Sequence, residues 1–332
     1  MKGITYKNTK TTLPCWIDPV HINQPRGYAY ETDTHFVHFY GKDEGLYVIS
    51  PGLTAIQAKN GTLKDWVINT FGAEDIEQMN LEVGQSIESV WRPSLYFHND
   101  TFQALNVTKT EMRLVEQALR LLINRLDELF LYIEPDKNGL LTYSHKTREL
   151  LILACTEVEN SWKYYMDKSS TYPINGKTFT TKDYIKLVDK LYLREFEFTL
   201  KTYSAIPAIA PFRNWDSANP TTSISWYNSY NKTKHDRDSH FSEATLINCI
   251  EAVVANLVMY CVRFSPFPLF DQPNTFSSLV NQHFDVRLIN TCQESYYLHK
   301  IELPSNTRSD LFCYDCIQAG HTQPFIVKPL VL

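Results

Sequence analysis

The chain has 332 residues, 43% of them apolar and 13% aromatic, which is enough for one large domain or two ordinary ones with a sizeable core. A net charge of -5 excludes a global electrostatic pull toward nucleic acid, so any such contact has to come from a local basic patch on an acidic body. Seven cysteines at wide, irregular spacings exclude a disulfide framework, and the odd count leaves at least one thiol unpaired, as expected in a reducing cytosol. The N-terminus, Met1-Lys2-Gly3-Ile4, lacks the apolar core of a signal peptide. The most apolar run, residues 249–262, is interrupted by Glu251 and Asn256, so the expectation is a soluble, cytoplasmic protein without a membrane anchor.

From residue 1 to about residue 100 the pattern is strand-like. HFVHFY, the turn-forming Gly41-Lys42-Asp43-Glu44-Gly45 and LYVIS predict a hairpin, and Asn60-Gly61 signals a tight turn. His35 and His38 are three apart, which in a strand sends them to opposite faces. They are expected to be two partly exposed strand histidines and not a shared metal site.

The period changes at Asn106. Thr108-Lys109-Thr110-Glu111 is a capping box, after which Met112, Val115, Leu119, Leu122, Leu126, Leu129 and Ile133 alternate spacings of three and four up to Pro135. Leu114, Ala118, Leu121 and Phe130 widen that stripe, which fits a helix inside a bundle or at a dimer seam. A turn at 135–139 follows, and Ser144 or Thr147 can cap a second helix to about Asp167, antiparallel to the first. Glu157 and Glu159 flank its apolar stripe and read as solvated. Thr180 to Asp183 can start a short helix, LREFEFTL alternates like a strand with one wet face, and the prolines at 207 and 211 mark loop. Residues 172–222 therefore read as an insertion in the bundle.

Residues 225–264 concentrate the chemistry. Leu246, Ile250, Val253, Leu257, Tyr260 and Phe264 predict a long buried helix, and ahead of it lies SWYNSYNKTKHDR. Cleavage of RNA by attack of the ribose 2′-hydroxyl needs a proton acceptor, a cation at the crowded phosphorane and a donor for the leaving oxygen. Histidine is the side chain suited to proton transfer near neutral pH, which makes His235 the candidate acid or base, and Lys232, Lys234 and Arg237 supply cations. Trp226, Tyr227 and Tyr230 offer rings for unpaired bases. A structural reading of the same run stands beside this one: it caps a helix and forms salt bridges, with Trp226 and Tyr230 as buried anchors.

RELLILACTEVENSW, then SWYNSYNKTKHDR, then SEATLINCIEAVVANLVMY resembles the HEPN (higher eukaryotes and prokaryotes nucleotide-binding) superfamily, in particular bacterial members with a YNxxKHxR segment. The resemblance covers residues 108–264, about half of the chain. It implies a four-helix-type bundle, commonly dimeric, found in RNA-targeting toxins and phage-defence proteins. Ribonuclease members carry an Arg, a polar residue, three variable residues and a His. Here that pattern falls on Tyr230 to His235, with Asn231 as the polar residue and Tyr230 in place of the Arg. The resemblance thus implies either that Arg237 or Lys234 takes the phosphate or that the member is non-catalytic.

The expected fold is α+β: a β-containing region over 1–105, a HEPN-like helical bundle over 106–268 and a short strand-rich tail over 269–332, after Pro266, Pro268 and Pro273 end the helices. The expected function is that of an RNA- or nucleotide-directed protein of a bacterial conflict or defence system. It is either a metal-independent endoribonuclease, with His235, Arg237, Asn231 and Lys234 catalytic and Lys232, Trp226, Tyr227 and Tyr230 binding, or a dimerisation or protein-interaction module. A homodimer is expected, with RNA, a nucleotide, a protein partner or an antitoxin as ligand, and no cofactor or metal. Cys313 and Cys316, with Cys292, His299 and His321 around them, supply one CxxC pair without a second and read as free thiols.

Overall fold

Strand-period residues in the first hundred positions build five strands of a six-stranded sheet. The structure, a computed structural model, describes residues 1–10, 12–13, 25–43, 45–46, 50–96, 98–203, 206–270 and 274–332. The fold is α+β, and the chain divides into two units: 1–106 with 290–328, and 107–289 with 329–332. This differs from the expected partition. Most of the tail belongs with the N-terminal region, and the helical unit runs on past residue 268 because a new helix starts after the prolines, capped by Asn274 and Ser277.

In the first unit, strands β1 (Lys2–Lys7), β2 (Arg26–Glu31), β3 (His35–Gly41), β4 (Ser50–Ala58) and β5 (Glu74–Glu82) pair antiparallel in the order β5-β1-β2-β3-β4, and a strand at Phe312–Tyr314 completes the β4 edge. The expected hairpin partner of HFVHFY lies further on than LYVIS. β4 pairs with β3, His38 opposite Ala55, while residues 47–49 lie outside the described residues. Asn60-Gly61 turns the chain not into a strand but into helix α1 (Leu63–Phe71), which Thr62 caps; Gly72, at φ 64°, ends it by turning its amide back to Ile68 and Val67.

Both faces of this sheet are covered. Tyr6, Phe36, Tyr40 and Ala55 pack under α1 with Trp66 and Phe71, while Tyr28, Tyr30, Val37 and Phe39 pack under Tyr296, Leu298 and Ile301. His35 and His38 are therefore buried, not partly exposed: His38 stacks on Phe71 and bonds Tyr6 at 2.5 Å, and His35 reaches the Arg308 carbonyl. A hydrogen-bonded helix α2 (His98–Leu105) and a parallel pair between Gln85–Ile87 and Ile326–Lys328 complete the unit.

The second unit is built on α3 (Lys109–Phe130) and α4 (His145–Lys168), both opened by capping boxes, Thr108 with Glu111 and Ser144 with Thr147. Lys146 at the start of α4 bonds Glu128 at the end of α3, as an antiparallel pair requires. On α3 the buried face is Leu119, Leu122, Ile123, Leu126, Leu129 and Phe130; Leu114 and Leu121, expected to widen it, are exposed. Helix α5 (Ser225–His235) and helix α6 (Leu246–Phe264) follow, and α6 touches α3, α4 and α5. By length and composition α6 is apolar enough to cross a membrane, which sequence reading missed, yet 83% of it is buried among its neighbours. Residues 172–222 are part of this core and not an appendage, because Trp215 and Phe212 from that stretch are fully buried against Trp162 of α4. The strand read in LREFEFTL forms at Phe196–Leu200 and pairs with Phe284–Leu288, and α7 (Thr275–His283) packs on α3.

Candidate functional site

Helix α5 carries the expected chemistry, and its apolar residues decide which way it faces. Trp226, Tyr227, Tyr230 and Thr233 recur at spacings of three and four, so all four point inward. Trp226 and Tyr230 are 1% and 0% exposed and Tyr227 is 5% exposed, so none of the three offers a free ring to a base, contrary to their expected binding role. Trp226 donates to the Pro211 carbonyl at 3.1 Å and lies in an aromatic group with Trp162, Phe212 and Tyr227.

The buried phenols meet Glu159 of α4. Tyr227 donates to its carboxylate at 2.5 Å and Tyr230 at 3.3 Å, while the Lys234 ammonium donates to the Tyr230 hydroxyl at 2.7 Å. Glu159 is thus a partner for the helix, where the sequence suggested a solvated residue. Burial pushes the Tyr227 phenol up, and its bond to Glu159 adds to the shift. Burial also raises Tyr230, with Lys234 acting against it, and the Tyr230 hydroxyl raises Lys234. Tyr230, the position where the resemblance implies an Arg, is a buried phenol hydrogen-bonded between Glu159 and Lys234. Lys234, expected at a phosphate, is held by that hydroxyl.

The remaining expected residues separate. Lys232 bonds both carboxylate oxygens of Glu243, at 3.1 and 3.0 Å, and His240 bonds the same carboxylate at 2.8 Å. Burial works against ionisation of Glu243, but Lys232 and His240 hold its carboxyl below the usual range. Asn231 is half-buried and makes no side-chain hydrogen bond among the described residues, so it does not orient His235. Helix α5 breaks at Asp236, whose side chain caps the next helical turn through Ser239. His235 and Arg237, on either side of that break, are exposed and have no carboxylate partner among the described residues.

Three residues that the sequence did not single out converge on this break from the start of α4. The Arg148 guanidinium donates twice to the Thr233 carbonyl, at 2.9 and 3.3 Å, closing the last turn of α5. The His145 ring lies 4.8 Å from the Phe241 ring, Tyr143 meets Phe241 edge-on at 5.6 Å, and the Arg237 guanidinium sits 5.8 Å over the same ring. Tyr143 is 48% exposed, so this aromatic edge is open to solvent beside the Arg237 guanidinium and the His145 imidazole. No local motif joins residues 143–148 to 233–241. The two stretches are brought together when the Leu246 amide bonds the Thr142 carbonyl at 2.9 Å and α6 packs on α4.

Outside this region, Cys313 is exposed and Cys316 is buried with its thiol at Thr54, while His321 bonds Tyr314 and His299 bonds Ser94. These groups therefore point to different partners, and no set of three or more metal-ligating side chains occurs among the described residues. Comparison of the chain with protein-family models, with curated proteins and with solved structures finds no match.

Proposed function

We propose that the helical unit is a HEPN-like module that binds RNA or a nucleotide, acting in the cytoplasm as part of a bacterial conflict or defence system. The observation that carries the reading is the open edge at the end of α5, where Tyr143, His145 and Arg237 meet Phe241, Arg148 holds the Thr233 carbonyl and the exposed His235 lies two residues before Arg237. A solvent-open ring beside the exposed Arg237 guanidinium suits a base and its phosphate, and the packed helices α4 and α5 carry the edge. In the cleaving form of this reading, His235 moves the proton and Arg237 holds the phosphate. The Glu159–Tyr230–Lys234 set, centred on the buried Tyr230, lies outside the chemistry.

Binding without cleavage is the second reading, and Tyr230 favours it. The residue in place of the expected Arg is fully buried and bonded, so a planar guanidinium is missing at that position. A homodimer belongs to the proposal in either form, since Leu114 and Leu121 lie seven residues apart on one exposed face of α3.

Titration of a labelled single-stranded RNA against the wild type, Arg237→Ala and Tyr143→Ala tests the reading. Arg237→Ala is expected to weaken binding and lower the salt slope by about one ion, and Tyr143→Ala to cost about 1–3 kcal/mol. Expression of the wild type beside His235→Ala, scored by RNA integrity, separates cleavage from binding. A wild type that binds neither RNA nor nucleotides at low salt refutes both forms.

A further inference from the structure

The first unit holds a second constellation, independent of the edge at His235. Ser94 Oγ lies 2.9 Å from His299 Nδ1, and His299 Nε2 faces Asp100 Oδ2 at 3.6 Å. The three residues come from three segments: the loop 91–96, the first turn of α2 and the stretch 296–301 that covers the sheet. Nothing in their sequence spacing announces this meeting.

The surroundings fix each member. Ser94 has φ 92°, a left-handed backbone that a residue with a Cβ adopts only under constraint, and the Trp91 indole pins its loop by donating to the Leu95 carbonyl at 2.9 Å. Behind His299, the Tyr30 hydroxyl donates to the His299 carbonyl at 3.0 Å and accepts from the Ile301 amide at 2.9 Å. Phe325, bonded through both its amide and its carbonyl to Gln103 of α2 at 2.8 Å, lies edge-on to the imidazole with 4.9 Å between ring centres. A serine that served only to hold His299 in place would gain nothing from a strained backbone, nor from a carboxylate at the opposite ring nitrogen. A nucleophile, a base and a group orienting the base need that order.

We propose that Ser94, His299 and Asp100 form an acyl-transfer site that hydrolyses a small, uncharged ester. At 3.6 Å from Asp100, His299 Nε2 makes no hydrogen bond in the resting site; the acting tautomer carries its proton on Nε2, toward that carboxylate, and leaves the Nδ1 lone pair to the serine hydroxyl. As Oγ bonds to the ester carbonyl carbon, the hydroxyl proton passes to Nδ1. As the tetrahedral adduct collapses, the bond to the alcohol oxygen breaks with its electron pair and that oxygen takes the proton from Nδ1, leaving the acyl group on Oγ. Water then repeats the two steps and releases a carboxylic acid and free Ser94. The choice of substrate follows from the site: Ser94 and His299 are 5% and 2% exposed and Phe325 borders the ring, which disfavours a charged or bulky acyl group and leaves a short, apolar one as the substrate.

The test incubates the full-length protein with a small alkyl fluorophosphonate and maps the adduct by peptide mass, with p-nitrophenyl acetate as the turnover probe. A single adduct on Ser94 is expected. Its rate should fall about a hundredfold or more in His299→Gln and to a smaller extent in Asp100→Asn, and ester turnover should vanish in Ser94→Ala. Circular dichroism checks that each variant is folded; Asp100, with its side chain 35% exposed, supplies the informative variant should His299→Gln not fold. A folded wild type that forms no adduct on Ser94 overturns the proposal, as does an adduct rate that Asp100→Asn leaves unchanged.

Discussion

Removal of the Glu159 carboxylate is expected to loosen α5 from the bundle, and a double-mutant cycle with Tyr227 measures by how much. The Tyr227 hydroxyl donates to Glu159 at 2.5 Å from a residue only 5% exposed, whereas Glu159 itself is half-buried and can recover water. Tyr227→Phe then loses one hydrogen bond to a charged acceptor without stranding its partner, about 1.5 kcal/mol at the low end of the range for such bonds. Glu159→Ala costs more, about 2–3 kcal/mol, because it leaves a buried hydroxyl without its acceptor and also removes the 3.3 Å contact with Tyr230. The double variant has no stranded Tyr227 hydroxyl, so its loss should fall short of the sum by about 1–1.5 kcal/mol. Hydrogen exchange of the peptide covering 225–235 suits the measurement, since it reads the opening of α5 directly in a chain of two units. Losses that add within about 0.3 kcal/mol would show that the phenol and carboxylate do not act on each other, and the account of α5 as fixed through Glu159 would fall.

Two further outcomes are expected. Arg148→Met should weaken the last turn of α5 by about 1 kcal/mol, since it removes the donor that satisfies the Thr233 carbonyl; exchange confined to residues 231–236 would confirm it, and no change there would refute it. Stability should decline as pH rises above about 10: burial raises the phenols of Tyr6, Tyr28, Tyr30, Tyr227 and Tyr260 above their ordinary value of 10.0, so the unfolded chain releases protons that the native protein keeps. Urea midpoints measured across pH 8–11 check this, and a flat profile above pH 10 would contradict it.

The sequence by itself determined the local parts of this protein. Thr108 with Glu111 and Ser144 fixed where α3 and α4 begin, because a cap acts within one turn of helix, and the three-four spacing from Leu246 to Phe264 marked α6 as buried. The basic run 232–237 was visible as composition, and the exposure of His235 and Arg237 follows from their place at a helix end. Tertiary structure decided the rest. Whether Trp226, Tyr227 and Tyr230 face a ligand or a core depends on Glu159 and Trp162, some seventy residues away, which spacing within α5 cannot report. His35 and His38 read as half-wet because alternation assumes one solvent face, whereas α1 covers His38 through Phe71 and the distant Arg308 carbonyl meets His35. The same holds for the meeting of Tyr143, His145 and Arg148 with Phe241 and Thr233, and of Ser94 with His299. Periodicity and caps reach as far as one element, whereas burial and the pairing of charges are set by whichever distant segment covers it.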